Sequence, residues 1–457
     1  MQTPRIDKVL GISTYATKNR GIGGSIKNLI NDFIVEEVLV DGSTAKINKK
    51  PNASVLSTSS KRQRYLLCVL IKRNWDMFLA IKTISRQLDI AESKIQFAGI
   101  KDAKAITAQY ITIENGVLEN ILTHNFKDII LYPIGYIREH LSTYYLLGNN
   151  FKININGLDS SESEIKKVTN KIVKELKEVG GIPNYFGYQR FGTIRPITHS
   201  VGKAIINGNF KEAIFTYLTK YSDAEHPSSR QARKDLLETQ DIKQSLKNFP
   251  KQLRYERTIL YHLSKKPTDF IGAFMRFPFK LQTLFIHAYQ SFLFNLFLSK
   301  RLEQGFSLKN AVAGDFIVNV EKSGLPMART GKIVDAKNLK QTNNLIKLGK
   351  IRVALPLVGT KQKFSAGQMG KIQKDIFEKE NITPKTFRVQ EIPRISGRGG
   401  LRTTITPINK FKLGEIVSTS NRDKYQLNLS FLLQRGSYAT IFLREIIKPS
   451  NPINAGF

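Results

Sequence analysis

Cysteine is almost missing from this chain: 457 residues hold one, Cys68, inside the apolar run Tyr65–Ile71. A single thiol closes no intramolecular disulfide, so the fold has to rest on its own core, and a reducing, cytoplasmic setting is expected. Histidine is sparse as well. His124, His140, His199, His226, His262 and His287 are scattered without ligand spacing, so with no cysteine cluster beside them no metal is expected. Gly21-Ile-Gly-Gly24 and Gly397-Arg-Gly-Gly400 are rich in glycine but have neither Rossmann nor P-loop spacing. Both read as turns, and no nucleotide or redox cofactor is expected. Long apolar runs are also lacking. A membrane-spanning helix needs about 18–20 apolar residues, and the richest run, Leu284–Leu298, is interrupted by His287, Gln290, Ser291 and Asn295. The first residues show no charged-then-apolar export pattern.

Negative charge is in short supply relative to positive. Against 71 Lys and Arg stand 37 Asp and Glu, a formal balance of +34, while hydrophobic (41%) and charged (24%) contents are those of an ordinary globular protein. Such a balance says nothing about fold and much about partners. It points to nucleic acid ahead of an anionic membrane surface.

The length exceeds what one core usually serves, so two domains are expected, one of them inserted in the other. The first 25 or so residues read as an arm, followed by a strand in the later half of Ile26–Leu39. Residues 41–64 form a connection with six basic residues and one acidic one. Tyr65–Lys72 reads as a buried strand. Asp76 sits where a helix N-cap belongs, ahead of Phe78, Ile81, Ile84 and Leu88. Tyr110–Glu114 reads as a strand, and Tyr144–Ile155 as two strand pieces around Gly148-Asn149-Asn150. Ile165, Val168, Ile172, Leu176 and Val179 make one helix stripe that stops at Gly180-Gly181. Residues 200–285 are Lys-rich and helical in pattern, and strand-like runs return at Lys410–Val417, Tyr425–Leu433 and Ser437–Ile447. The expected limits are 1–199 and 406–457 for an α/β (α+β) catalytic domain and 200–405 for a helix-rich insert.

Two segments carry the chemistry. In Phe97-Ala-Gly-Ile-Lys-Asp-Ala-Lys-Ala-Ile-Thr-Ala-Gln109 the carboxylate of Asp102 lies between Lys101 and Lys104. A carboxylate binds a polyanion poorly but can attack it or take a proton from it. Read alone, Asp followed by Ala-Lys-Ala-Ile-Thr is also what a helix N-cap looks like. In Asn184-Tyr-Phe-Gly-Tyr-Gln-Arg-Phe-Gly192 the aromatic residues are either a packed corner or a platform for an unstacked base.

Together and in this order, the two segments resemble the TruD family of tRNA pseudouridine synthases. Further likenesses run in family order: Ser25-Ile-Lys27 with Asp32-Phe-Ile-Val-Glu36, Gly148-Asn149 with Phe151, Ser291–Asn295, and Gly436-Ser-Tyr-Ala-Thr440 with Leu443-Arg-Glu-Ile446. One departure is Met77, where relatives commonly carry Thr after the cap. The resemblance implies a mixed-sheet catalytic domain interrupted by a TRUD domain. It implies Asp102 as the catalytic carboxylate, Lys27 as its partner, and Asn184 and Phe186 lining the target base. It further implies tRNA as partner and uridine 13 as target, with no cofactor; a monomer is the simplest assembly to expect. The chemistry is consistent with those residues. Uridine isomerisation breaks an N–C glycosidic bond, turns the uracil and rejoins it through carbon, and one ionised carboxylate can act as nucleophile or base. A neighbouring cation favours the ionised form. The rival readings are a non-catalytic RNA-binding protein of the same fold, which would need neither Asp102 nor Lys27, and an RNA methyltransferase, which would need a glycine-rich cofactor loop.

Overall fold

In the computed structural model, which describes residues 2–48, 55–419 and 424–457, alternation along the early strands sets the architecture. Strand β1 (Phe33–Leu39) is followed by β2 (Tyr65–Arg73), β3 (Ile95–Phe97), β4 (Ile106–Glu114), β5 (Ile129–Ile137) and β6 (Leu146–Leu158). Successive side chains of β2 point to opposite faces. Leu66, Cys68 and Leu70 enter one apolar cluster, while Tyr65, Leu67, Val69 and Ile71 enter another. Burial on both faces is why this stretch reads as continuously apolar rather than alternating. A two-residue strand, β7 (Ile182–Pro183), comes next. A separate four-stranded sheet is built from β8 (Phe316–Val320), β9 (Pro326–Ile333), β10 (Ile351–Leu357) and β11 (Gly400–Thr403). Strand β12 (Ile405–Thr406) pairs with β7, and β13 (Asn409–Ser418) and β14 (Tyr425–Gln434) return to the first sheet. Its order is β13-β14-β6-β1-β4-β2-β5, with β3 beside β4, and β1 and β4 run parallel.

Helices α1 (Arg5–Val9), α2 (Met77–Gln87), α3 (Leu118–Leu122) and α4 (Glu162–Val179) belong to the first half of the chain. The helical middle holds α5 (Thr198–Ile206), α6 (Phe210–Thr219), α7 (Pro227–Thr239), α8 (Ile242–Asn248), α9 (Arg254–Lys265) and α10 (Phe270–Met275), and then the long α11 (Phe279–Glu303). Helices α12 (Leu339–Lys347), α13 (Gly367–Glu380) and α14 (Ala439–Ile447) complete the set. One apolar cluster runs from Leu10 through α4, α5 and α11 to Phe457, so the helical middle and the first sheet share a core.

Several expectations need correcting. The N-terminal arm is core structure: Leu10 and Ile12 are buried, and Asp7 accepts hydrogen bonds from Arg444 Nε at 2.6 Å and the Tyr188 hydroxyl at 2.7 Å. Ser437–Ile447 is no strand; residues 439–447 form α14, buried on every side, where apolar continuity hides the helical period. The two strand pieces at 144–155 are one strand, β6, because Gly148 lets Leu433 approach: a Cβ there would lie 2.0 Å from the Leu433 carbonyl oxygen. Asp76 does cap α2, accepting from the amides of Phe78 and Leu79, yet the buried face is Met77, Ala80, Ile81 and Ile84, leaving Phe78 exposed. Asp102 caps nothing, since the chain bends at 103–105 straight into β4, which begins at Ile106 rather than Tyr110. Of the basic connection 41–64, residues 49–54 lie outside the described residues.

Candidate active site

Asp102 lies on the loop joining β3 to β4, at the end of the sheet where β1 and β4 run side by side. Three buried groups fix that loop. The Gln109 side chain donates to the Gly99 carbonyl at 3.1 Å. Lys101 turns inward to Glu37 at 2.7 Å, and Glu37 also accepts from the amide of Tyr110. Lys72, wholly buried, donates to the carbonyl oxygens of Asp102 at 2.7 Å and Trp75 at 2.8 Å. Burial pushes the Lys72 ammonium down to about 8, against the opposing pull of the Asp102 and Asp76 charges. The backbone is thus held from beneath while the Asp102 carboxylate stays 32% exposed.

Lys27 meets it. Its ammonium lies 3.2 Å from Asp102 Oδ1 and 4.3 Å from the centre of the Phe33 ring. Lys27 is buried and left-handed, with φ of 58°, a conformation that costs a residue with a Cβ and persists only where the surroundings impose it. Those surroundings are the chain end and β6: Ile26 donates to the Ala455 carbonyl and Ser25 to that of Asn156.

Around Asp102 opens a cavity of about 400 Å³, walled by Phe33, Phe151, Ile100, Gln189, Tyr438 and Thr440 among others. Asp76 borders it too, but its Oδ1 is committed to the cap of α2. Asn184 and Phe186 are not part of this lining. The Phe186 ring stands edge-to-face on Tyr438, with centroids 6.1 Å apart, and faces a second cavity. Asn184 is buried, with its amide nitrogen on Thr403 at 3.0 Å and its oxygen accepting from Arg402 at 2.6 Å. Arg402 lies 4.0 Å over the Phe186 ring, among carbonyl oxygens and, among the described residues, paired with no carboxylate, and burial lowers its guanidinium to about 10. So the structure joins Lys27 to Asp102 and joins Asn184 to Phe186, with Tyr438 between the two pairs.

Sequence reasoning missed Lys72, Glu37, Arg402 and Tyr438. A signal existed for two of them: Lys72 ends an apolar strand, and Glu37 lies inside one. Tyr438 lay inside the quoted segment Gly436–Thr440 without being singled out, and Arg402 has no local mark. Among the described residues no three His, Cys, Asp or Glu side chains gather as a metal site, and no helix is long and apolar enough to cross a membrane.

A family model described as tRNA pseudouridine synthase D (TruD) matches residues 9–446. The chain belongs to the TruD family of tRNA pseudouridine synthases. Among relatives, a "Probable tRNA pseudouridine synthase D" of Methanosarcina mazei is 34% identical over 454 residues, covering 99% of both chains. One of the same description from Thermococcus sibiricus is 37% identical over 438 residues, covering 95% of this chain and 97% of its own. A crystal structure from Methanosarcina mazei, described as that of the "Putative tRNA pseudouridine synthase D (TruD)", superimposes with a TM-score of 0.82 at 34% identity, covering 99% of this chain and all of the other. Like the TruD family as a whole, this chain is an isomerase of the pseudouridine synthase kind, and RNA is its partner.

Proposed function

We propose that the chain converts a uridine of tRNA, the one at position 13, to pseudouridine with Asp102 as the reacting carboxylate, in the cytoplasm. The observation that carries this reading is the Asp102 cavity. Of the two carboxylates bordering it, Asp76 is occupied with a helix cap, whereas Asp102 is open to the cavity and paired with Lys27.

The uridine leaves its stack and enters this cavity, as bases do in enzymes whose target atoms are hidden in a helix. Asp102 acts at the sugar or the uracil as nucleophile or base. The N1–C1′ bond breaks, the uracil turns, and a C5–C1′ bond forms. The proton on C5 leaves, N1 gains one, and the balance of atoms is unchanged. Lys27 holds the carboxylate in place, and Phe33 and Phe151, which line the cavity, offer the detached base an apolar wall. Asn184 and Phe186 enter the proposal as the support of the remaining wall: Phe186 backs Tyr438, and Asn184 holds Arg402 against Phe186.

Asp102→Asn preserves shape but cannot attack or accept a proton. Pseudouridine formation, followed by tritium release from tRNA labelled at C5 of uridine, is expected to vanish while RNA affinity holds. Turnover close to that of the unmodified protein would remove Asp102 from the chemistry.

A further inference from the structure

The glycine-rich turn Gly397–Gly400, with no assignable motif in the sequence, closes the second cavity. This space of about 420 Å³ is bordered by Phe186, Arg190, His287, Ser291, Arg398 and Gly399. It adjoins the Asp102 cavity through two shared walls. Gln189 lines one space and Arg190 the other, and Tyr438 in the first is packed on Phe186 in the second. The turn is fixed from outside, where Thr360 donates to the Gly397 carbonyl and Lys361 to that of Arg398. Gly399 has a φ of 86°, which a residue with a Cβ adopts only under strain.

Its charges are unbalanced. Among the described residues no carboxylate pairs with Arg190 or Arg398, and the enclosed Nε of Arg190 has no hydrogen-bond partner. That nitrogen is shut off from solvent, but among the described residues the terminal nitrogens of Arg190 make no hydrogen bond either, and these are what an anion in the cavity can meet. The planar forks of two arginines suit a phosphate. Beside them, partial burial and the Arg190 charge hold the His287 imidazole below its usual range, so at neutral pH its ring can both donate and accept. Phe186 adds an aromatic edge. Two guanidiniums, a neutral imidazole, a hydroxyl and a ring match a nucleotide.

We propose that this second cavity takes the unpaired nucleotide directly next to the reacting uridine, so that the enzyme extracts two adjacent bases from its RNA. The proposal rests on the Asp102 cavity holding the reacting uridine. One base then occupies each side of the Tyr438–Phe186 partition, with the phosphate of the second nucleotide on Arg190 and Arg398.

The test uses a tRNA transcript carrying 2-aminopurine at the nucleotide on either side of the modified uridine, and a variant combining His287→Ala with Arg398→Ala. Both side chains are at the surface, and circular dichroism checks that the fold is kept. Binding of the unmodified protein is expected to change the fluorescence of one neighbour, and the variant is expected to lose most of that change. An abasic neighbour is expected to lower kcat/KM about tenfold, the scale of one lost base stack or pair of contacts, and the variant to lose no more on the abasic RNA. Losses that multiply, or a fluorescence change untouched by the variant, would overturn the proposal. So would a variant that loses kcat on both RNAs, because the cavity would then hold the reacting uracil itself. The fluorescence arm reads binding alone, so turnover surviving in Asp102→Asn would remove the catalytic reading without altering it.

Discussion

Lys72 is a side chain shut off from solvent and, among the described residues, without an ion pair; it is spent on two backbone carbonyls, one of them that of Asp102. Its protonation differs between folded and unfolded chains. The folded value near 8 lies below the usual 10.5, so between these two pH values the unfolded chain binds more protons and stability rises with pH. The full difference amounts to about 3 kcal/mol. Lys72→Met removes it. The unmodified protein is therefore expected to gain stability relative to Lys72→Met as pH rises from 8 to 10.5, as denaturant unfolding would show. The variant also leaves two carbonyls unsatisfied, at about 1–3 kcal/mol each where no water reaches them. With the Asp102 loop released, pseudouridine formation is expected to fall at unchanged RNA affinity; full activity would mean that the Lys101–Glu37 pair holds the loop unaided.

At the scale of elements, the polar residues that interrupt α11 turn out to be sockets for other parts of the chain. Asn295, fully buried, donates to the carbonyls of Leu10 and Phe186 and accepts from the Phe186 amide. Gln290 reaches the Val358 carbonyl. Between α5 and α11 the joint is aromatic, with His199 stacked on Phe292 at 5.0 Å and edge-on to Phe191 at 5.4 Å. Burial, with the Lys220 charge adding to it, lowers this imidazole from 6.5 to about 4. The unfolded chain takes up that proton first as pH falls, so the joint's contribution is complete above 6.5 and lost on the way down to 4. The loss is expected to reach about 3 kcal/mol by pH 4. His199→Phe, which retains the ring but not the titration, should lack this share of the acid sensitivity. Equal loss in both proteins, measured by denaturant unfolding at pH 7 and pH 4, would place the acid sensitivity elsewhere.

For the whole molecule the governing quantity is the charge of +34. Each phosphate neutralised on a duplex contributes a slope of roughly −0.9 to log affinity against log salt, and less on single strands. RNA binding should therefore weaken steeply and broadly as salt rises, while the choice of uridine, which the proposal places in the two cavities, is expected to change little. In the tract Lys61–Arg64, Arg64 is already paired with Glu114 at 2.8 Å, but Lys61 and Arg62 are exposed. Replacing both by Ala is expected to flatten the slope by about 1–2 units and to leave the modified uridine unchanged. Modification at new uridines would show that this loop reads sequence.

What the residues determined by themselves was local. The continuous apolar run of β2, the period-2 pattern of β14, the stripe of α4 with its stop at Gly180, and the Asp76 cap are written in a few neighbouring side chains, and the net charge needs no fold to be counted. The segment around Asp102 stood out because a carboxylate between lysines is unusual on a basic chain, but read alone it was equally a helix cap, and only the likeness to the TruD family suggested a catalytic role for it. Tertiary structure decided the rest. Lys27 and Asp102 are 75 residues apart and Asn184 and Arg402 are 218 apart, distances over which no periodicity carries information. The fully buried α14 read as a strand because a helix with no wet face has no stripe to show. Whether Asp102 capped a helix or stood free depended on a bend imposed by Lys72 and Glu37 from other strands. Only packing could show that Phe186 lies one wall away from Asp102, because that wall, Tyr438, arrives from the far end of the chain.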